Sequence, residues 1–179
     1  MQVNPDSLLS SLPDLTGTSG CAAYQFRRTS RAVARLYDSA IAPSGIRSTQ
    51  FALLTAIAKL QPVSMSRVAR ILMIDSTTMT RSLRLLQKGG LIEIAPRGRR
   101  RQRLLTLTLK AEKALAIAVP LWREMQNRFV AALGGKHWTA FRDELEHAAE
   151  LASALETADA AQKEQTKLAP DRAPETDSV

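Results

Sequence analysis

Two short stretches of the sequence carry side chains whose chemistry suits nucleic acid. The first combines hydroxyl groups and arginines: Ser76, Thr77, Thr78, Thr80, Arg81 and Arg84. Short hydroxyls can contact base edges or phosphates, and an arginine can read guanine through two hydrogen bonds. The second holds five arginines in seven residues: Arg97, Arg99, Arg100, Arg101 and Arg103. A solvated polar surface is the alternative interpretation of either stretch, and for Ser76 a role limited to helix capping is another.

The net charge is strongly localised around these stretches. The 179-residue chain carries a formal charge of +8. Residues 21–138 hold 21 of the 25 Lys and Arg but only 5 of the 17 Asp and Glu, whereas residues 139–158 have one base and five acids. Such an excess of positive charge indicates a polyanionic partner.

Other function classes find little support in the composition. The single cysteine excludes an intramolecular disulfide framework and a cysteine-rich zinc site. The longest apolar run, Ala114–Val119, is far too short for a membrane span, and no signal peptide is visible. No phosphate-binding loop, nucleophile elbow or carboxylate pair is present. We therefore expect a soluble cytoplasmic protein that is not an enzyme and needs no cofactor.

The pattern of apolar residues predicts four helices in the first half of the chain. Each is bounded by capping or breaking residues such as Pro43, Gln61-Pro62 and Gly89-Gly90. Met79, Leu83 and Leu86 should form the buried face of the fourth helix. We place the first helix at about Ala22–Ser39. The second helix should run from an N-cap at Ser48 to Leu60. The third should begin after a cap at Ser64, and the fourth after a cap at Asp75 or Ser76.

The second half begins with a hairpin and continues with two long helices. Leu91–Ile94 and Arg103–Thr108 are β-prone and flank the arginine cluster, which predicts a two-stranded hairpin with a basic tip. Helices should follow at about Lys110–Ala132 and His137–Ala158. Pro120 predicts a kink or a short interruption in the first of them.

This order of elements predicts a mainly α fold with a small β-hairpin wing. The two short helices followed by a hairpin form a winged helix-turn-helix, and the other predicted helices bring the total to about six. In this arrangement the second helix of the pair enters the major groove of double-stranded DNA with its N-terminal residues. The arginines of the wing then lie beside the minor groove or on phosphates, which makes the solvated-loop alternative less favourable.

Several segments resemble the MarR family of bacterial transcriptional regulators. They are Arg47–Leu54, Val68–Leu72, Asp75–Arg81, Leu86–Ile92 and Leu107-Thr108. The resemblance covers roughly residues 21–158 and implies a homodimer that binds a pseudopalindromic operator. Members of the family often act as repressors that are released by small aromatic ligands or by oxidants.

The resemblance also divides the chain. It implies a winged helix-turn-helix over residues 46–109, with residues 21–45 and 110–158 in the dimerisation region. We predict a flexible arm over 1–20 and a disordered tail over 159–179, because both segments are polar or rich in Pro, Ser and Gly.

The wing departs from the family pattern. Counting back from Leu107-Thr108, Arg99 occupies the position where the family usually has an aspartate, and Arg100 occupies the position of its arginine. Ala111 stands where a glycine is usual. The aspartate that orients the wing arginine is thus replaced by a like charge. Arg100 must therefore be held by another group, or the wing must rely on its total charge.

Cys21 raises a second functional possibility. It lies at the start of the first helix, where unpaired N–H groups and the helix dipole favour a reactive thiolate. The family includes peroxide-sensing members with a lone cysteine near this place, whose thiolate contacts tyrosines, and Tyr24 and Tyr37 are available here. An inert cysteine at a dimer seam is the alternative. A different class of function, non-specific nucleic-acid binding by an architectural protein, would use the same charge without reading bases.

Overall fold

The computed structural model describes residues 16–95 and 103–168. They fall into two compact units, one ending at Met125 and the other beginning at Gln126. The described residues contain six α-helices, which matches the predicted number, and three short strands. The elements are α1 (Ala22–Ile41), α2 (Ser48–Leu60), β1 (Val63–Ser64), α3 (Met65–Ile71), α4 (Ser76–Lys88), β2 (Ile92–Ala95), β3 (Leu104–Leu107), α5 (Leu109–Leu133) and α6 (Gly135–Leu168).

One apolar core holds the first unit together. Met79, Leu83 and Leu86 are buried along one face of α4, so the predicted stripe is confirmed. Ile57 of α2 and Val68 of α3 are fully buried with them. The stacked rings of Phe51 and Trp122, with centroids 5.8 Å apart, pack at the edge of this core. Helices α2 to α5 are thus fixed by burial of their apolar faces.

The strands form a sheet with the order β1–β3–β2, and both pairs are antiparallel. Leu105 is the central residue, since it pairs with Val63 on one side and Ile94 on the other and is fully buried. The predicted hairpin is confirmed, but the expectation of only two strands was wrong. β1 is two residues long and carries no alternation of polarity that could have revealed it.

The cap predicted for α2 was also wrong. Ser48 is the first residue of the helix, and its backbone N–H donates to Asp38 Oδ1 of α1 at 2.6 Å. The preceding residue, Arg47, donates its own N–H to Gln50 Oε1 at 2.9 Å. A carboxylate from a neighbouring helix therefore takes the place of a local hydroxyl cap, which a local sequence pattern does not reveal. This hydrogen bonding from Ser48 lowers the pKa of the Asp38 carboxyl.

The two long helices extend further than predicted. Helix α5 runs without a break through Pro120, so the predicted interruption does not occur. In the second unit, α6 continues to Leu168, ten residues beyond the predicted end at Ala158. Residues 159–168 are therefore helical rather than part of a disordered tail, because this stretch lacks Pro and Gly and the first breaker is Pro170.

The second unit contains the end of α5 and all of α6. The rings of Phe129 and Trp138 meet edge to face within it, with centroids 6.0 Å apart. No helix among the described residues combines the length and apolar character needed to cross a membrane.

Candidate nucleic-acid interface

Helices α3 and α4 form the helix-turn-helix, and a left-handed residue makes the turn between them. Met73 has φ +51°, while Ile74 N–H donates to Ala69 O at 2.9 Å and Met73 N–H to Arg70 O at 3.3 Å. This pair of bonds is the Schellman motif, in which glycine usually occupies the left-handed position. A methionine that is 56% exposed takes that position here.

Asp75 starts helix α4. Its carboxylate accepts a hydrogen bond from the backbone N–H of Thr78 at 2.8 Å, so Asp75 is the N-cap and Ser76 is the first helical residue. The sequence had left the choice between these two residues open. Hydrogen bonding from Thr78 lowers the pKa of Asp75, because the ionised carboxylate is the better acceptor. The alternative interpretation of Ser76 as a helix cap is therefore wrong, because Asp75 fills that role.

The exposed face of α4 carries most of the predicted DNA-binding side chains. Ser76, Thr77, Thr78, Arg81 and Arg84 are all exposed. Thr77, Arg81 and Arg84 are spaced by four and three residues and so share one side of the helix. The opposite side is the buried stripe of Met79, Leu83 and Leu86. Helix α4 therefore presents hydroxyl and guanidinium groups outward from a firmly anchored face.

Thr80 differs from its neighbours. It is only partly exposed, and its hydroxyl donates to Ser76 O within the same helix at 2.7 Å. The hydroxyl proton is thus already used, which leaves Thr80 only as an acceptor toward any partner. In the predicted DNA contact, Thr80 could thus only accept a hydrogen bond, whereas the exposed hydroxyls of Thr77 and Thr78 could donate or accept one.

Arg84 and Arg103 come together across a cleft between α4 and the sheet. The cleft has a volume of about 160 Å³, and both arginines line it with Thr80 and Gln87. Its floor is apolar, formed by Met65, Leu83, Ile94 and Leu105. Arg103 is exposed and directly precedes β3. The structure therefore joins one residue from each of the two predicted stretches on one surface.

The other wing arginines, Arg97, Arg99, Arg100 and Arg101, lie outside the described residues. The base of the wing is described, and Gln61 stabilises it in a way that the sequence did not reveal. Gln61 Oε1 accepts a hydrogen bond from the backbone N–H of Leu107 in β3 at 2.8 Å. Gln61 lies two residues before β1, the strand that pairs with β3. Its only sequence signal was the Gln61-Pro62 break, which we had interpreted as the end of a helix.

Cys21 occupies the N-cap position of α1 and is exposed. Tyr24, one turn along, is 52% exposed. Tyr37 lies sixteen residues along the same helix, which is roughly 24 Å at 1.5 Å per residue. The Tyr37 side chain therefore cannot reach the thiol of its own chain. Burial raises the pKa of Tyr37.

No group of three or more His, Cys, Asp or Glu that could hold a metal ion occurs in residues 16–95 and 103–168.

Comparison with known proteins gives consistent matches. Residues 44–102 match the model of the MarR family. The Mycobacterium tuberculosis transcriptional regulator MosR, solved in complex with DNA, is 34% identical with a TM-score of 0.70, and the match covers 75% of this chain and 98% of that one.

A more distant solved structure shares the fold, and a curated sequence also matches. The repressor CouR, solved on a 23-mer DNA duplex, is 23% identical with a TM-score of 0.65 over 78% of this chain and 99% of that one, and it has also been solved with p-coumaroyl-CoA. An uncharacterised helix-turn-helix regulator of Bacillus subtilis, YwoH, is 24% identical over 90 residues, which span 50% of this chain and 66% of that protein, slightly under two thirds.

Proposed function

Because the chain belongs to the MarR family of DNA-binding transcriptional regulators, we propose that it is a repressor that binds a pseudopalindromic operator as a homodimer. The observation that carries this proposal is the exposed face of α4. There Thr77, Arg81 and Arg84 project from a helix whose other side is buried. Such a helix can enter the major groove and read base edges.

Each predicted contact has a distinct part in this proposal. Arg81 and Arg84 read bases, with Ser76, Thr77, Thr78 and the acceptor oxygen of Thr80 beside them. Arg103 and the outlying wing arginines, Arg97, Arg99, Arg100 and Arg101, neutralise phosphates or enter the minor groove. The DNA-binding part spans residues 46–109, while residues 21–45 and 110–158 form the dimerisation region, to which α6 adds residues up to Leu168.

Exposed apolar side chains on three helices support the homodimer. Tyr24 and Phe26 of α1 are 52% and 49% exposed, Ile117 of α5 is 48% exposed, and Leu151 and Leu155 of α6 are 53% and 59% exposed. Leu151 and Leu155 are four residues apart and so share one face of their helix. Apolar surface of this kind favours burial against a second subunit.

Release by an effector is the regulatory part of the proposal. The structure of CouR with p-coumaroyl-CoA supports a small aromatic ligand as one class of effector. The exposure of Cys21 favours a second candidate, a hydroperoxide. In that case the sulfur takes one oxygen from the peroxide and becomes a sulfenic acid, and the peroxide is reduced to the alcohol. Loss of peroxide-induced release in Cys21→Ser would support this candidate, and unchanged release would refute it.

Non-specific binding by an architectural protein is the rival function, and competition distinguishes the two. A duplex is first enriched by the wild-type protein from a random pool. Labelled enriched duplex is then displaced by unlabelled enriched or random DNA at one salt concentration. A specific regulator should prefer its own duplex by roughly 10³-fold or more. Equal displacement by both competitors would favour the architectural function.

A further inference from the structure

Two residues at the entrance to α5 bind the C-terminal end of α4. We propose that Thr108 and Lys110 form a clamp, a pair of positioning residues that fixes the end of the DNA-reading helix. The inference rests on the proposed function, because it concerns the orientation of the helix that is proposed to read the operator. Neither residue lies among those predicted to touch DNA.

The end of α4 is a glycine turn with exposed carbonyl groups. Gly90 has φ +68°, Leu91 N–H donates to Leu86 O at 2.9 Å, and Gly90 N–H donates to Gln87 O at 2.9 Å. This is a Schellman motif, which satisfies carbonyls inside the helix. The carbonyls of Gly89 and Gly90 themselves lie beyond these bonds and are available to other donors.

Lys110 binds the first of these carbonyls. Its Nζ donates to Gly89 O at 2.8 Å, which places a cation at the negative end of the α4 dipole. A Cβ atom built on Gly90 would lie 4.0 Å from Lys110 Cδ, so the lysine stem runs alongside the glycine. Gly90 thus provides both the left-handed turn and the open side along which the stem lies.

Thr108 binds the second carbonyl and also caps α5. Its hydroxyl donates to Gly90 O at 2.7 Å and accepts the backbone N–H of Ala111 at 3.3 Å. Its own N–H donates to Leu91 O at 3.2 Å. One side chain therefore joins the last residue of the α4 turn to the first turn of α5.

The clamp matters because α4 behaves as a short rigid rod. Thirteen residues give a length of roughly 20 Å, and Asp75 holds its other end. A change in tilt at Gly89 and Gly90 is carried along the rod to Arg81 and Arg84. Base reading depends on that tilt, whereas attraction to phosphates depends mainly on charge.

The experiment uses the 179-residue chain and five substitutions. Lys110→Met removes the ammonium but keeps much of the stem, and Thr108→Val removes the hydroxyl but keeps the shape. Lys110→Arg and Thr108→Ser are conservative variants that retain the donors. Lys113→Met, which removes an exposed charge from the next turn of α5, is the matched control. Each protein is titrated with the enriched duplex and with random DNA over a range of salt concentrations.

We expect Lys110→Met and Thr108→Val each to lower the preference for the enriched duplex by roughly tenfold, because the free energy with which one such hydrogen bond holds the end of α4 corresponds to a factor of about that size. The conservative variants should restore it, and Lys113→Met should leave it unchanged. Equal loss on both DNAs with a shallower salt slope would make Lys110 a phosphate contact and overturn the proposal. A lower melting temperature with an unchanged preference would overturn it as well, because the role would then be purely structural.

Hydrogen exchange of the free protein separates this inference from the proposed function. Amides of Gly89, Gly90 and Leu91 should exchange roughly tenfold faster in the Lys110→Met, Thr108→Val double variant. Unchanged exchange would refute the clamp whatever the protein does with DNA. A different outcome is faster exchange in the double variant while the wild-type protein shows no preference among DNA sequences. That result would refute the proposed function and leave the clamp as a structural contact only.

Discussion

The carboxylate of Asp75 accepts the backbone N–H of Thr78 at 2.8 Å, and this contact fixes where the DNA-reading helix begins. A shift of one residue would rotate the exposed side chains of that helix by about 100°. Thr77, Arg81 and Arg84 would then rotate together, away from the outward direction that they share. The capping contact therefore helps the buried stripe of Met79, Leu83 and Leu86 to hold α4 in the register that presents these side chains.

Loss of this cap should destabilise the protein. We expect Asp75→Ala to lower the free energy of unfolding, because the backbone N–H of Thr78 in the first turn of α4 loses its acceptor. Urea denaturation at pH 7 measures the change. Asp75→Asn keeps an acceptor oxygen and serves as the control, with a smaller loss expected. Equal stability of Asp75→Ala and the wild type would show that the contact contributes nothing.

The two hydrogen-bonded aspartates should make stability depend on pH in the acid range. The pKa values of Asp38 and Asp75 are lowered in the folded protein, so folding favours their ionised forms. Their contribution is complete above the unfolded value of about 3.9 and is lost as the pH falls through the lowered folded value. The free energies of unfolding of the wild type and of Asp38→Asn, measured by urea denaturation, should differ most at pH 6. The difference should shrink as the pH falls below about 4 and vanish only below the lowered pKa of Asp38. A difference that persists unchanged to pH 2 would contradict this assignment.

The turn of the helix-turn-helix should accept glycine with a gain in stability. Met73 has φ +51°, a conformation that costs a non-glycine residue free energy. Met73→Gly relieves that cost, although it adds entropy to the unfolded chain. We expect the free energy of unfolding to rise by up to about 1 kcal/mol. Met73→Ala is the control, since alanine keeps the Cβ atom and should bring no such gain. A loss of stability in Met73→Gly would indicate that contacts of the methionine outweigh the backbone cost.

Two arginines of the interface should differ in what they control. Arg81→Ala should weaken binding to the enriched duplex by roughly 1–3 kcal/mol and relax the choice of one base pair, since a contact with two hydrogen bonds to guanine is lost. Arg103→Ala should weaken binding to all sequences alike and reduce the salt slope by about 1. Titration of both variants on matched and mismatched duplexes measures these effects, with Arg123→Ala of α5 as a charge control. A uniform loss of affinity in Arg81→Ala together with a changed base preference in Arg103→Ala would contradict this assignment of the two roles.

Much of the fold could be predicted because local patterns agreed with the tertiary contacts. The stripe of Met79, Leu83 and Leu86, the cap at Ser64 and the glycine turn after α4 all depend on residues within a few positions of one another. The predictions that failed depended on distant partners. Ser48 is not a cap because Asp38, ten residues earlier, supplies the acceptor. β1 exists only because β3 pairs with it.

The same distinction applies to the candidate interface. The residue types of Thr77, Arg81 and Arg84 and their spacing were enough to place them on one exposed face. The joint cleft of Arg84 and Arg103 depends on the packing of α4 against the sheet, which no local pattern specifies. The hydrogen bond from Lys110 to Gly89 links residues 21 positions apart and was likewise invisible in the sequence.

The most direct test of a sequence-specific dimeric regulator is selection of DNA by the wild-type protein from a random pool, followed by sequencing. The account predicts an enriched inverted repeat whose half-site centres lie roughly one helical turn, about 10 base pairs, apart. One half-site should be read by α4 of each subunit. Enrichment of no sequence, or of a single half-site without its repeat, would contradict the account.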